Sequence, residues 1–404
     1  MRYLNFPLHY AATFITIIFI CWPRNYPPVW AEPLQESPQT FNDYTPTTEG
    51  FRQATQAFKN FIGQLVELEI RFHNSVTPDE GNRLREQWYE FREQGFDLYQ
   101  EMLSAALAEY LLAPAENRPL ADLLFGVLKR NAEADVYEGL LPIALALYEN
   151  QYPAAELNGL LIMCSLANNE FELARNPLEK LIAQGRASNE LIEIFNNLDE
   201  LTSAWNEELE KRKIDSQGEP LPLARVTTTK GTLVIELFEN DAPEAVANFI
   251  SLVERGFYRY SQFFMVLSNL MAQTGCPSGD GMGGPGYFIP QESAQLSPRR
   301  MFRGSVSLAL LPGMPDSGGS QFMIAFLPVK LLENQSRVFG RVVSGMPNVA
   351  KLNRIDPSEK KKEGEPPAVP DEIITIEIIR KRDHAYEPTR LSRPLREDTP
   401  DSAQ

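Results

Sequence analysis

A chain of 404 residues with 43% hydrophobic and 23% charged side chains is long enough for two or three separately cored domains, which excludes full-length disorder and fibrous architecture. Its 38 Lys and Arg against 54 Asp and Glu leave a formal net charge of −16, so phosphate backbones and anionic lipid repel the chain as a whole and no nucleic-acid partner is expected. Cys21, Cys164 and Cys276 are too far apart for a disulfide framework and lack the paired spacing of a tetrahedral zinc site; no metal or cofactor is expected.

The first residues stand apart from the rest. Arg2 precedes an apolar stretch, 11–22, that falls short of the roughly 20 residues of a membrane span and suits the core of a secretory signal. Val29-Trp30-Ala31 places small or permissive residues where a signal peptidase reads, so residues 1–31 are read as a signal peptide that sends the chain to the periplasm or cell envelope. The alternative is an uncleaved N-terminal anchor. A lipoprotein role for Cys21 is disfavoured by Ile20, which stands where a small residue is needed. Residues 32–48, rich in Pro, Ser and Thr, bury too little apolar surface to offset their ordering entropy and read as a disordered linker.

From 49 the pattern is helical. Phe51, Ala54, Phe58, Phe61, Leu65, Leu68 and Phe72 recur at three- and four-residue steps, which lines one face of a helix. Thr77-Pro78-Asp79-Glu80 then supplies a capping hydroxyl, a proline at the first helical position and a Glu at the third, and Leu84, Trp88, Phe91, Leu98 and Met102 continue the period. Further apolar-periodic segments at 119–131, 135–149, 153–166, 170–184 and 188–213 make 49–213 a helical interaction domain, either a bundle or a short solenoid. Asn150-Gln-Tyr-Pro-Ala-Ala155 and Asn169-Glu-Phe-Glu-Leu-Ala174 resemble the turns of tetratricopeptide-like helix pairs, although no full 34-residue self-similarity accompanies them. Met163 and Cys164 sit in an apolar run as core filling.

Gly218, Pro220 and Pro222 break the last helix, and residues 214–224 read as a linker. Beyond it the period becomes strand-like, at 225–229 and 233–238 across a Lys230-Gly231 turn and finally at 373–380. Asp241 is expected to cap a helix that begins near Pro243. Many short strands with few helices predict a closed or nearly closed β-barrel. Residues 383–404, polar and carrying Pro388, Pro394 and Pro400, are expected to be disordered.

Several signatures drop out. Gly279-Asp-Gly281-Met-Gly-Gly284 has the spacing of a dinucleotide fingerprint, but Pro285 and Gly286 follow where a helix must start, so it reads as a glycine-rich loop. His73 and His384 offer little for imidazole metal sites or triads.

What remains is carried by Leu237-Phe-Glu-Asn-Asp-Ala-Pro-Glu-Ala-Val-Ala-Asn-Phe249, Gly256-Phe-Tyr258, Met271-Ala-Gln273, Gly281-Met-Gly-Gly-Pro-Gly-Tyr287, Gly304-Ser-Val-Ser-Leu-Ala309, Gly319-Ser-Gln-Phe322 and Val338-Phe-Gly340. In order and spacing these resemble the cyclophilin-type peptidyl-prolyl cis-trans isomerases, over residues 225–382. The resemblance implies an eight-stranded antiparallel barrel with two capping helices and an external groove that takes an X-Pro segment of a client protein. The chain is therefore expected to be multidomain, all-α and then β-barrel.

Rotation about an X-Pro amide meets a barrier of roughly 18–20 kcal/mol. A cyclophilin site, as the resemblance implies, holds the proline ring in an apolar pocket and aims a guanidinium at the twisted amide, which is electrostatic stabilisation of a transient state. This chain departs from the family there. The family's Phe-His-Arg motif aligns with Phe263-Phe264-Met265, so the arginine position holds a thioether with no charge and no donor. Leu270 and Met323 replace aromatics, Leu331 replaces the pocket tryptophan, and Ser336 replaces a histidine; Met271, Gln273, Ala309, Gln321 and Leu332 are retained. Met265, Gln273 and Ser336 thus stand at the catalytic positions, and Phe263, Leu270, Met271, Ala309, Gln321, Phe322, Met323, Leu331 and Leu332 at the substrate-binding ones. Three functions stay open: an exported folding or assembly factor that binds proline-containing segments with weak or lost isomerase activity, an active isomerase in which Arg259 or Arg303 replaces the missing cation, or a non-catalytic adaptor acting through a partner on the helical domain.

Overall fold

A computed structural model describes residues 44–75, 77–292, 298–328, 336–359 and 368–392. The expected signal segment, residues 32–43 of the expected linker, Leu331, Leu332 and the last twelve residues of the chain lie outside the described residues.

Helix α1 (Glu49–His73) starts where the Thr48 hydroxyl accepts the Phe51 N–H. It buries Phe51, Phe58, Phe61, Leu65 and Leu68, and it packs along α2 (Pro78–Leu112), which opens on Thr77 accepting the Glu80 N–H. The stripe and the cap are those read in the sequence. Residues 44–48, by contrast, are not a loose linker. The buried Glu109 of α2 accepts the N–H groups of Thr47 and Thr48 and the hydroxyls of Tyr44 and Thr48, which ties this segment down.

Helices α3 (Arg118–Glu133), α4 (Leu140–Glu149), α5 (Leu157–Ala167) and α6 (Phe171–Ala183) follow. The turns after them repeat one geometry. Asp135, Gln151, Asn169 and Gly185 all take positive φ, and the next residue's N–H returns to a carbonyl five positions back, Val136 to Asn131, Tyr152 to Leu147, Glu170 to Ser165 and Arg186 to Leu181, each at 2.9 Å. This left-handed ending satisfies the last carbonyls and reverses the chain sharply. Asp135 and Asn169 are 34 residues apart, and so are Gln151 and Gly185.

The segment expected as one helix over 188–213 is two, α7 (Asn189–Asn196) and α8 (Leu198–Gln217). They meet at Asn197, whose ψ of 4° leaves the helical path while its backbone N–H and side-chain amide both donate to the Glu193 carbonyl and close the last turn of α7. Helix α8 also runs past the expected boundary, because Asp215 is drawn in by Arg299, and the linker shrinks accordingly.

The second domain begins with β1 (Leu223–Thr228) and β2 (Gly231–Leu237), then α9 (Pro243–Glu254), β3 (Ser261–Gln262), β4 (Met265–Leu267), β5 (Met271–Thr274), β6 (Tyr287–Phe288), β7 (Ser305–Ala309), β8 (Phe322–Ala325), β9 (Ser336–Ser344), α10 (Met346–Ala350), β10 (Glu372–Arg380) and β11 (Leu391–Ser392). The main sheet is antiparallel in the order β3-β10-β1-β2-β9-β7-β8-β5-β4. Its two outermost members, β3 and β4, are the ends of one stretch, residues 261–267, so the order returns to its start and forms the eight-stranded barrel. Phe249 from α9 fills the interior against Tyr258, Phe322 and Phe339, with ring centroids 5.4–5.7 Å apart.

Two local expectations are corrected here. Asp241 does not cap α9; it pairs with Arg299 at 2.7 Å, and the carboxylate of Glu292 accepts the Glu244 and Ala245 N–H groups instead. Residues 383–392 are ordered on the barrel. Tyr386 is buried and donates to Glu239, whose other oxygen lies 2.6 Å from His384 Nε2, and β11 pairs with β6. A large aromatic ring able to join the barrel core outweighs the polar composition around it.

The domains share a packed boundary. Phe302 and Leu327 of the second domain join the helical core, with Phe302 against Trp205 and Phe171 at 4.9 and 6.3 Å. The buried guanidinium of Arg299 bonds Glu208, Asp215 and Asp241 and lies over the Phe238 ring. Among the described residues no helix is long and apolar enough to cross a membrane.

Candidate functional site

Strand register sets the site. Across the outside of the barrel, Val338 of β9 faces Ser307 of β7, Ser307 faces Met323 of β8, Met323 faces Gln273 of β5, and Gln273 faces Met265 of β4. Side chains in register on neighbouring strands point to the same face. The residues one step away, Val266, Ala272, Ile324 and Val306, belong to the interior core. Met265, Leu270, Met271, Ala309 and Met323 gather in a second apolar cluster with Val338 and Phe238.

A polar strip borders this cluster. Gln273 Nε2 donates to Gln321 Oε1 at 3.0 Å, and Gln321 Nε2 donates to the carbonyls of Gly281 and Gly283 at 2.7 and 2.9 Å. Those two acceptors fix the orientation of the Gln321 amide and hence that of Gln273. The glycine-rich loop is glycine where contact demands it. Gly281 has a φ of +79°, and a Cβ there would come within 3.1 Å of the Phe264 ring. The loop runs on to β6 with no helix after it, so its N–H groups form no phosphate cradle of the dinucleotide type. One of them, that of Gly283, is spent on the buried Cys276 thiol at 3.2 Å.

The structure thus brings together Met265, Gln273, Leu270, Met271, Ala309, Gln321 and Met323. Phe263 and Phe322 were expected at the groove and are corrected. They are 1% and 0% exposed and belong to the barrel interior, as strand alternation requires of the residue between Gln321 and Met323. Ser336 opens β9 opposite Ala309. Val338 and Ser307, which complete the row, stand in motifs read in the sequence but were not assigned to the groove, though their period-two spacing carries the signal.

A substitute cation at 265 was one reading of the sequence. Arg303 is withdrawn from that role, because its guanidinium donates to the Phe326 and Asp135 carbonyls and to Glu138 at 2.8–3.0 Å. Arg259 has its guanidinium over the ring of Tyr260, 5.9 Å from the centroid.

Residues 223–378 match the family described as cyclophilin type peptidyl-prolyl cis-trans isomerase/CLD. A peptidyl-prolyl cis-trans isomerase of Helicobacter pylori is 43% identical over 121 residues, which span 30% of this chain and 72% of that protein. This chain belongs to the cyclophilin-type peptidyl-prolyl cis-trans isomerase family. The peptidyl-prolyl cis-trans isomerase-like 1 protein of Neurospora crassa is 31% identical over 158 residues, 39% of this chain and 94% of that one. A crystal structure of a cyclophilin type isomerase from Cryptosporidium parvum, in the presence of the dipeptide Ala-Pro, aligns with a TM-score of 0.33 and 26% identity over 39% of this chain and 99% of that chain. In the cyclophilin-type domain the β4–β5 hairpin and β8 supply most of the gathered site residues, and the glycine-rich loop closes one side.

Proposed function

We propose that this chain is an exported folding or assembly factor whose cyclophilin-type domain holds proline-containing segments of client proteins, with isomerase activity that is weak or lost. One observation carries the reading. Met265, which the resemblance aligns with the family's arginine, lies in register with Gln273 on the outer face of the barrel. A thioether neither donates a hydrogen bond nor carries charge, so it gives the twisted amide no stabilisation beyond dispersion. The groove remains suited to holding, because the half-buried Met265 and Leu270 lie over the buried Met271 and Met323 in one apolar cluster whose flexible side chains can re-pack around a pyrrolidine ring. Loss of one preorganised donor in other enzymes lowers the rate by about 10²–10³.

The test is an isomerisation assay on a short Ala-Pro peptide, comparing the natural chain with Met265→Arg alone and with Met265→Arg, Leu331→Trp and Ser336→His combined. Little acceleration by the natural chain and a gain on restoration support the reading. A high rate from the natural chain, unchanged by Met265→Arg, rules it out.

The helical domain is proposed as a short solenoid that offers a second binding surface, on the strength of the 34-residue recurrence of its left-handed turns. Export rests on the 1–31 segment, and N-terminal sequencing of the protein recovered from the cell envelope tests it; a first residue of Glu32 is the expected outcome, and an intact Met1 on cytoplasmic protein rejects it.

A further inference from the structure

The turn between β4 and β5 does not stand alone. Asn269 has a φ of +61°, and the Leu270 N–H returns to the Leu267 carbonyl, as in a hairpin whose last loop residue is left-handed. The helical domain grips that residue twice. Asp135 Oδ1 accepts the Asn269 N–H at 3.0 Å, and the Tyr137 hydroxyl donates to Asn269 Oδ1 at 2.9 Å. Both Asp135 and Tyr137 are 1% exposed. Asp135 is held in turn by Arg354, which donates to its second oxygen at 2.7 Å and to Ser268 Oγ at 3.0 Å. Arg303 bonds both the Asp135 carbonyl and the Phe326 carbonyl, and the Phe326 N–H bonds the Leu270 carbonyl. The exposed hairpin turn is therefore held by a polar clamp in which the buried Asp135 and Tyr137 of the helical domain act together with Arg354 and Arg303 of its own domain, and the two strands it joins carry Met265, Met271 and Gln273.

We propose that Asp135 and Tyr137 are positioning residues for the proline groove, setting the β4–β5 hairpin through Asn269, so that the helical domain is part of the groove's working structure. This rests on the proposed holding of proline segments in the groove. A hydrogen bond anchored on a side chain that packing holds in place fixes geometry at the scale on which an apolar pocket is shaped. The Tyr137 bond reaches the site only through the hairpin, so its removal acts on binding without touching bound peptide.

The experiment uses the full chain and a fluorescent eight-residue peptide with a central Ala-Pro. Affinity, melting temperature and amide exchange over 265–273 are measured for the natural protein, Tyr137→Phe, Asp135→Ala and Arg300→Ala. The last breaks the exposed Arg300–Glu200 pair of the same domain boundary at a distance from the hairpin. Tyr137→Phe is expected to weaken peptide binding about three- to tenfold, in line with one lost hydrogen bond, with faster exchange confined to 265–273 and no change for Arg300→Ala. Unchanged affinity for Tyr137→Phe, or an equal loss for Arg300→Ala, overturns the positioning role. If Asp135→Ala fails to fold, Tyr137→Phe alone decides. A natural chain that does not bind the peptide overturns the holding function itself, and the positioning role with it, and that result is visible before any variant is made.

Discussion

Met265 and Gln273 face each other across the β4–β5 ladder, a thioether in register with an amide whose own partner is Gln321. The pair places an apolar group and a hydrogen-bonding group side by side on the outer face of the barrel. Replacing Met265 by Ala is expected to leave any residual isomerisation unchanged while weakening peptide binding about two- to tenfold, because only dispersion and burial are lost. Parallel rate and affinity measurements check this, and a fall in rate larger than the fall in affinity would show that the thioether takes part in the rotation.

Gln321 links the groove to the glycine-rich loop. Gln321→Ala removes its bonds to the Gly281 and Gly283 carbonyls and frees the Gln273 amide. Unpairing such groups costs about 1–3 kcal/mol. Amide exchange is expected to accelerate over 279–286 and peptide affinity to fall; protection equal to that of the natural protein would show that the loop is held by its other contacts.

Glu109 makes stability depend on pH. Burial alone would raise its pKa, but the Thr48 N–H, the Tyr44 and Thr48 hydroxyls and the Thr47 N–H outweigh that and hold it at about 2, against 4.5 for an ordinary glutamate. Its folded pKa is depressed, so the stabilisation is fully present above about pH 4.5 and is lost as pH falls toward 2. The contribution is about 3 kcal/mol. Denaturant unfolding of the natural chain and Glu109→Gln should differ by that amount at pH 7 and converge toward pH 2. A gap independent of pH would contradict this assignment.

Phe302 joins two cores. Phe302→Ala opens a cavity among Trp205 and Phe171, and aromatic truncations of this kind cost about 3–5 kcal/mol. Calorimetry is expected to show the helical domain and the barrel melting separately in the variant and together in the natural chain. A single unchanged transition would mean that the polar contacts of Arg299 and Arg303 suffice to couple them.

The local grammar of the sequence was readable where period and capping chemistry decide the outcome. The α1 stripe from Phe51 to Leu68, the Thr77 cap and the motifs that carry the cyclophilin-type resemblance all lie in short windows. What escaped depends on partners distant in sequence. Glu292 rather than Asp241 caps α9 because Arg299 claims the aspartate, a choice made between residues 58 positions apart. Tyr386 orders a polar tail by reaching Glu239, and Asp135 meets Asn269 across a domain boundary. Phe263 and Phe322 went astray for another reason. A motif gives the order of residues along a strand, whereas the side of the sheet each one occupies follows only once register is known.

The stretch 261–267 is shared by both borders of the barrel, with Ser261 and Gln262 laced to β10 and Met265 to Leu267 laced to β5. It is the seam of the cylinder, and the groove is stitched directly onto it. Any displacement of Met265 along its strand therefore strains pairings on both sides, because one short stretch serves two edges of the sheet.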